Sequence, residues 1–587
     1  MDGVAKLQLG CIPGVGQVYG GAMNAPVNND VVLTVTNGTF NRVFGGNNKG
    51  GDINGTITVN IEETGCTPIV IGQLFGAGNQ AAYTAPFKEN STTEREDGPT
   101  LNIKSFTSIG EVFGGGFGPT AIVTGDTYIN INEVVGDQAS AYSGETMTMN
   151  AGQSDAYTVS IPAHTAGEIG TIGNVYGGGY GANIVGKTYV NIGTESEVSY
   201  VSGTDHDPKD VAGANITGDV FGGGFGASTN VSDTAFVNVG GVLTTEDPDT
   251  HVVTVTGYKD NHATFASNKG IYGGSALGSV AKSQVNLYAG TIPCEVFGGG
   301  KGQLAQAAVG TQGQEGYIPE VTAQAATVST KANVTLYNAT VTGAIYGGCN
   351  INGSATAAEV NILGGTLGVS TTPKADILFA GGKGQNTITT TAIMNIGKAT
   401  TGTDQTTTYS GSATIYSNVY GGSALGNVGV SSDNTAIGSG TVNLYQATSV
   451  TGDVYGDGMG YVDATDDTKN VKAKMGNSTV YLYDLDLSNS NIYGGCNYNG
   501  TVYGKATVNL IGGSVVDVYG GGQGELTAFG TAGSVEVNVG TAVNTGSTSV
   551  TGDVYGGSAL GHVTAPIVNV YSGTVSGSVF GGGKGAL

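Results

Sequence analysis

The chain has 587 residues, of which 105 are Gly, none is Trp and only 11% are charged, and its formal net charge is −24. An acidic chain without a basic stripe argues against a nucleic-acid partner. No stretch approaches the roughly 18 apolar residues of a membrane-spanning helix, so a helical membrane protein is excluded as well. Acidity at low charge density favours an extracellular or cell-surface protein.

A short phrase recurs sixteen times along the chain: an aliphatic residue, then Tyr or Phe, then a Gly-rich turn. Successive aromatic positions are 25 or 26 residues apart at the shortest, and longer separations indicate inserted loops. Such repetition indicates stacked copies of one small supersecondary unit, because one copy cannot bury its apolar face alone. The aromatic positions are Tyr19, Phe44, Phe75, Phe113, Tyr176, Phe221, Tyr272, Phe297, Tyr346, Phe379, Tyr420, Tyr455, Tyr493, Tyr519, Tyr555 and Phe580.

Before each aromatic phrase, most units carry an aliphatic residue, Asn and a second aliphatic residue, as in Val59-Asn60-Ile61. This alternation predicts a half-buried strand whose apolar pair points inward and whose Asn points outward. We expect these amides to hydrogen-bond from unit to unit, and the alternative is a ligand-binding ladder. The Asn positions are Asn60, Asn102, Asn130, Asn191, Asn238, Asn286, Asn361, Asn395, Asn443, Asn509, Asn538 and Asn569.

Strand, turn, strand and Gly-rich corner within about 25 residues predict one coil of a parallel β-helix. The predicted fold is all-β: one elongated β-solenoid over residues 1–587, with about sixteen coils and inserted loops. Stacking at ~4.8 Å per coil would give a rod of about 75 Å. The crossover preference of parallel strands favours a right-handed helix, and a two-faced solenoid is the alternative.

The turn after the aromatic residue repeats with a period of four coils, which predicts a super-repeat block over about 270–587. Ser275, Ser423 and Ser558 begin equivalent Ser-Ala-Leu-Gly turns. Because both ends of the chain fall inside the pattern, we expect a fragment of a longer array, with self-association through end coils as a further expectation.

A polar column lies two residues before the aromatic positions and includes Arg42, Gln73 and Glu111. Catalysis by paired carboxylates needs two of them within about 5–10 Å, and adjacent coils rarely both carry one here. We therefore expect a solvated column and no catalytic residue. The carboxylates that would contact a ligand on this face are Asp219, Glu295, Asp453, Asp517 and Asp553.

The aromatic column itself allows two interpretations. Strict alternation would turn the rings outward, as a strip suited to sugar rings. A long exposed stack containing Phe is an aggregation hazard, so we expect burial, with Gly leaving room at a tight corner.

Calcium is the only cofactor that the sequence suggests, through Asp463, Asp466 and Asp467 in the insertion after Tyr455, with Asp457 nearby. A second acidic group consists of Glu246, Asp247 and Asp249. The Asp of the calcium-binding nonapeptide GGxGxDxUx is missing after the Gly-rich corners, so the prediction rests on loop oxygens alone.

Histidines and cysteines carry no metal or redox motif. His164, His206, His251 and His262 lie in inserted polar segments, and we expect them to be solvated. The five cysteines are odd in number and far apart, and we interpret Cys11, Cys66, Cys294, Cys349 and Cys496 as small buried thiols.

The Gly-cornered coil VNIxGGTVxGxVYGGG resembles the Gly-rich parallel β-helix arrays of large bacterial surface proteins, including autotransporter-like adhesin passengers and pectin-lyase-like repeats. The resemblance implies surface display with adhesion or spacing. The catalytic residues of the enzymatic members have no counterpart that we can place in this sequence.

The predicted function is therefore a non-enzymatic extracellular structural or adhesive module. Recognition would lie in inserted loops at roughly 137–172, 196–218, 244–268, 303–330 and 398–418. Expected partners are host or environmental glycans or surface proteins. The alternative is a glycan-binding or polysaccharide-cleaving β-helix of the phage tail-spike kind. The first residues, MDGVAKLQLGCIPG, do not form a signal peptide, so we expect export to depend on parts outside this chain.

Overall fold

The computed structural model describes residues 5–9, 11, 14–134, 140–153, 155–200, 208–248, 250–308, 320–402, 406–525, 530–541 and 548–586. The chain divides into two compact units, Met1–Cys294 and Glu295–Leu587, and parallel strands stack coil upon coil in each. The predicted all-β parallel solenoid is confirmed. Continuity of one solenoid across both units and the right hand stay predictions.

Two long parallel sheets build unit 1. The Asn sheet carries the Asn positions and the aromatic sheet carries the aromatic positions. Strands of the Asn sheet are Ala5–Leu9, Val31–Val35, Ile57–Glu62, Tyr83–Thr84, Thr100–Ser105, Val123–Thr124, Thr127–Ile131, Ile184–Val185, Thr188–Ile192, Asn230–Val239 and Ser279–Leu287. Strands of the aromatic sheet are Gly14–Tyr19, Gly38–Phe44, Ile69–Phe75, Ser108–Phe113, Thr171–Tyr176, Ala214–Ile216, Val220–Phe221, Ala263–Phe265 and Gly270–Tyr272.

Unit 2 repeats both sheets. Strands of its Asn sheet are Ala326–Leu336, Asn352–Ile362, Asn386–Ile396, Asn427–Val428, Ser439–Leu444, Ala473–Met475, Asn477–Leu482, Gly500–Leu510, Thr531–Val539 and His562–Val570. Strands of its aromatic sheet are Glu295–Phe297, Ile345–Tyr346, Leu378–Phe379, Val419–Tyr420, Val454–Tyr455, Ile492–Tyr493, Val518–Tyr519, Val554–Tyr555 and Val579–Phe580.

Short parallel strands form a third side in unit 2, and three of them begin at a Gly-Thr or Gly-Ser turn, after Gly365, Gly513 and Gly573. They are Thr340–Val341, Thr366–Leu367, Thr414–Ile415, Ser449–Val450, Asp486–Leu487, Ser514–Val515, Ser549–Val550 and Thr574–Val575. Thr291–Ile292 is the corresponding strand of unit 1.

The register places like residues on top of each other. In unit 1, Asn130 pairs with Asn191, and Asn191 pairs with Asn238 on the next coil. Val190 and Val237, which flank these Asn residues, are fully buried. A shift of one residue would turn the apolar row to solvent, so the alternating pattern fixes the register of each coil.

Backbone contact explains the Gly-rich corners. A Cβ atom on Gly114 would lie 2.3 Å from the carbonyl oxygen of Gly177 on the next coil. Serine replaces the third corner residue at the predicted turns of unit 2: the Ser423 and Ser558 hydroxyls accept backbone N–H bonds from Gly382 and Gly522. Gly is therefore required at these corners because the backbones of neighbouring coils approach too closely for a Cβ atom.

Several insertions fold as antiparallel hairpins. In unit 1 they are Glu145–Met149 with Tyr157–Ile161, Glu197–Ser199 with Pro208–Asp210, and Gly241–Glu246 with Val253–Lys259. In unit 2, Lys398–Thr401 pairs with Thr407–Ser410. A 3-10 turn, Asp467–Lys469, is the only helical element among the described residues. Across that same part of the chain, no helix has the length and hydropathy needed to cross a membrane.

Candidate functional site

The polar column is exposed at Gln17 and Ser578 and is elsewhere buried or half-buried, so the expectation of a solvated column was wrong for most of its length. Arg42 is 3% exposed and Gln73 is fully buried in unit 1, and Asp453 is 8% exposed in unit 2. The physical reason in unit 1 is a cover: the hairpin 145–161 folds over the column, and a Cβ on Gly72 would touch the side chain of Met149 in that hairpin.

The Asp and Asn side chains of the column hold neighbouring coils together. In unit 1, Asn174 Oδ1 accepts from the backbone N–H of Asp219 at 2.9 Å, and Asp219 Oδ1 accepts from that of Gly270 at 2.9 Å. Each side chain thus satisfies a backbone donor of the next coil. This arrangement, the Asx ladder, gives the column a structural role.

The Asx ladder is longer in unit 2. In each step a backbone N–H donates to the side-chain Oδ1 of the preceding coil, at 2.7–3.1 Å. The donor and acceptor pairs are Asp453 and Asn418, Asn491 and Asp453, Asp517 and Asn491, Asp553 and Asp517, and Ser578 and Asp553. Four of the five carboxylates predicted to contact a ligand are therefore rungs of a ladder. Alternation predicted their column, but the sequence held no signal for these bonds to the neighbouring backbone.

The second carboxylate oxygens of these residues also have partners in unit 2. Asp453 forms an ion pair with Lys374 at 3.0 Å. Asp517 accepts from the Tyr519 hydroxyl at 3.2 Å. Glu295, the fifth predicted residue, accepts from Lys383 Nζ through both oxygens at 2.7 Å. Ligand binding by this set stays a prediction, and it would have to compete with these bonds.

The aromatic residues are stacked and, as expected, buried, except Tyr19, which is half-buried, and Phe580, which is 44% exposed. Ring centroids of successive coils lie 4.7–5.1 Å apart in unit 1. In unit 2 the separations are 4.5–5.1 Å. Phe75, Phe113 and Phe379 are fully buried. With their faces covered by neighbouring rings, these residues cannot serve as a platform for sugar rings.

The outward Asn residues form the hydrogen-bonded ladder that the sequence predicts. In unit 1 each side-chain N–H donates to the preceding Asn oxygen at 2.8–3.1 Å from Asn102 to Asn286. In unit 2 the ladder runs from Asn361 to Asn443 and resumes from Asn509 to Asn569. Tyr481 occupies the rung between the two runs.

Arg42 anchors the covering hairpin in unit 1. Its guanidinium donates to Gln73 Oε1 at 3.0 Å, Asn150 Oδ1 at 2.9 Å and the Tyr157 hydroxyl at 2.8 Å. Gln73 in turn donates to Glu111, and burial raises the pKa of the Glu111 carboxyl above its usual value. The column of unit 1 is thus a hydrogen-bonded polar network that the hairpin 145–161 covers.

The predicted calcium ligands are divided between two environments. Asp457 is 1% exposed at a coil corner, where its Oδ1 accepts from the N–H of Gly458 at 2.6 Å. Asp463 and Asp466 are fixed by hydrogen bonds within their own loop, which lower their pKa values. No described group of three or more His, Cys, Asp or Glu residues is placed to hold a metal ion. Asp249 of the second acidic group lies outside the described residues.

Two expectations about cysteine and histidine were wrong. Cys11 and Cys66, which are 55 residues apart in the sequence, form a disulfide with their Cα atoms 5.5 Å apart. Cys294, Cys349 and Cys496 are buried and form no disulfide, as expected. His164 is only 5% exposed, and burial lowers its pKa. His206 lies outside the described residues.

An open groove of about 910 Å³ crosses the Asn sheet of unit 2. Its floor consists of Asn352, Asn386, Ile388, Asn427 and Lys474. Asn352 pairs with Asn386, Ile388 with Asn427, and Asn427 with Lys474. The floor residues therefore lie on successive coils along the stacking axis. We call this the axial groove.

Two insertions wall the axial groove. Leu304 belongs to the insertion closed by an antiparallel bridge between Gln303 and Gln324. Val471 and Lys472 belong to the insertion at 461–472, which a bridge to Val471 closes. The first wall lies within the loop predicted at 303–330, but the floor residues were missed, because the outward positions of a regular strand read as ordinary solvated side chains.

The comparisons with known proteins return no similar protein: no family model matches this chain, and neither a curated protein nor a solved structure is significantly similar to it.

Proposed function

We propose that this protein is a non-enzymatic extracellular structural and adhesive module, in which each unit is a stiff β-stack and the inserted segments carry recognition. The observation that carries the proposal is the use of the outward polar side chains as ladders between coils. Carboxylates that bond the neighbouring backbone build stiffness and are poorly suited to acid–base chemistry.

An extracellular setting is supported by the Cys11–Cys66 disulfide, since such bonds form and persist in oxidising compartments. The low content of charged residues, 11%, points the same way. Display on a bacterial surface, as the resemblance to adhesin passengers implies, is part of this proposal.

Adhesion can be tested with the purified chain coated on beads. We expect the beads to be retained on some immobilised polysaccharides or surface proteins, without release of soluble oligosaccharide. Release of new reducing ends would overturn the non-enzymatic proposal and favour a polysaccharide-cleaving β-helix. Retention on no surface would contradict the adhesive part of the proposal.

Glycan binding is the second candidate function, and the axial groove is the observation that favours it. The groove is open along several coils and lies between two insertions, which is where recognition is expected on a repeat scaffold.

A further inference from the structure

We propose that the axial groove binds a linear acidic polysaccharide, one that carries carboxylate or sulfate groups along its length. This inference rests on the proposed adhesive function and names the ligand of one site. It follows from the charge of the groove, the spacing of its floor and the pairing of its strands.

The charge of the groove is opposite to that of the chain. The sequence holds 45 acidic and 21 basic residues, yet the described residues that line the groove include Lys472 and Lys474 and no carboxylate. Lys472 is exposed on the wall, and Lys474 Nζ donates to Asn434 Oδ1 at 3.0 Å. A cationic groove on an anionic chain selects an anionic ligand through charge complementarity.

The floor repeats along the axis. The insertion that forms the first wall belongs to the coil of strand Ala326–Leu336. The insertion that forms the second wall belongs to the coil of strand Ala473–Met475. These two strands are four coil steps apart in the sheet. At ~4.8 Å per step the walls are about 19 Å apart. Asn352, Asn386 and Asn427 lie at successive steps. The Asn352 amide donates to the Gln303 carbonyl and the Asn427 amide bonds to the Val430 backbone, whereas Asn386 is exposed on the floor between them. A ligand that extends along the axis can bond to Asn386 and reach the lysines on the step beyond.

The chemistry of the lining favours an acidic glycan over other polymers. Among the described lining residues there is no aromatic ring, so the stacking that would hold a neutral sugar is missing. The floor strand Asn386–Ile396 pairs with a parallel strand on each side. A peptide therefore finds no open backbone edge to extend. Ile388, 51% exposed, offers an apolar contact to a sugar face.

The test is calorimetric titration of the full chain with a short oligogalacturonate, a neutral gluco-oligosaccharide of equal length and an acidic peptide, at low and high salt. We expect binding of the oligogalacturonate alone, weakened by salt. The double variant Lys472→Gln/Lys474→Gln should weaken it about tenfold or more. Asn386→Asp, which adds a negative charge to the exposed floor, should also weaken it.

The matched control is Lys282→Gln, an exposed lysine of unit 1 outside the groove. Equal binding of the neutral oligosaccharide, stronger binding of the acidic peptide, unchanged affinity in the lysine double variant, or no binding of the oligogalacturonate would each overturn the inference. The bead assay is independent of these outcomes: retention by the double variant would leave the adhesive proposal standing while the groove assignment falls.

Discussion

At the scale of single residues, Asp457 departs most clearly from the repeat. Its neighbours on adjacent coils, Gly422 and Gly495, have no side chain at this corner, and backbone bonds place all three in register. Asp457 Oδ2 is buried without a hydrogen-bond partner, and burial raises the pKa of the carboxyl to about 7. Desolvation outweighs the single bond from the Gly458 N–H.

The raised pKa predicts a stability that falls as pH rises. Below about pH 4 the carboxyl is protonated in both states, whereas between about pH 4 and 7 the unfolded state ionises and the folded state keeps its proton. The free energy of unfolding therefore falls across this range, by at most about 4 kcal/mol, and levels off above pH 7. Asp457→Asn should remove this dependence and unfold at higher urea than the parent near pH 8. Urea unfolding at acid and alkaline pH measures it.

The control for this test is Asp433→Asn, which alters a fully exposed carboxyl. An Asp457→Asn protein that keeps the same loss of stability between acid and alkaline pH would show that the buried carboxyl is not its source.

At the scale of elements, the side-chain ladders and the covering hairpin contribute to the stability of the contacts between coils. Asn191 donates to Asn130 and accepts from Asn238, both at 2.8 Å. Two net hydrogen bonds are worth about 1–3 kcal/mol in stability. The rung at Tyr481 shows that one coil can omit the amide, so no single rung is essential to the fold.

We therefore expect Asn191→Ala to lower the free energy of unfolding by about 1–3 kcal/mol without changing the fold. Urea unfolding followed by circular dichroism measures the change. Asn386→Ala, an exposed Asn outside the ladder, is the matched control and should be near neutral. Equal stability of the two variants would show that the amide ladder contributes nothing measurable to the free energy of unfolding.

The hairpin 145–161 depends on one guanidinium. Arg42→Met keeps the packing volume of the stem but removes the bonds to Gln73, Asn150 and Tyr157. We expect the free energy of local opening to fall by about 3 kcal/mol, which hydrogen exchange of the hairpin amides would report.

Arg95→Met serves as the control, because Arg95 contacts Ala85 and Phe87 away from the hairpin. Unchanged exchange in the Arg42 variant would mean that apolar contacts alone hold the cover in place.

The same elements show which features the sequence could predict. Alternation around Asn191 and Gly at the corners fix strands, register and the amide ladder, because these depend on neighbouring coils with equivalent sequences. Arg42 reaches partners 108 and 115 residues away, in an insertion with no repeat pattern. The axial groove likewise depends on the course of two unrelated loops. Neither can be read from local periodicity.

At the scale of the whole molecule, the cysteines fall into two classes. Cys11 and Cys66 form a disulfide, whereas Cys294, Cys349 and Cys496 are buried thiols outside it. Burial raises the pKa of the Cys349 thiol to about 11 and moves that of Cys496 upward as well. The three buried thiols should therefore be inert in the native protein.

Thiol counting tests this distribution. For protein isolated under oxidising conditions, we expect no rapid reaction with a thiol reagent in the native state, three reactive thiols in denaturant, and five after reduction in denaturant. Five reactive thiols without reductant would contradict the disulfide. Rapid labelling of the native chain would contradict the burial of the free cysteines.

The Asx ladder has a consequence for how such a chain changes over generations. Each rung offers the same oxygen to the next coil, whichever coil that is, as Asn418, Asp453 and Asn491 do in succession. Loss or duplication of a whole coil by recombination in the gene would leave every remaining junction satisfied. The number of coils can therefore change during evolution without requiring a new type of contact between coils.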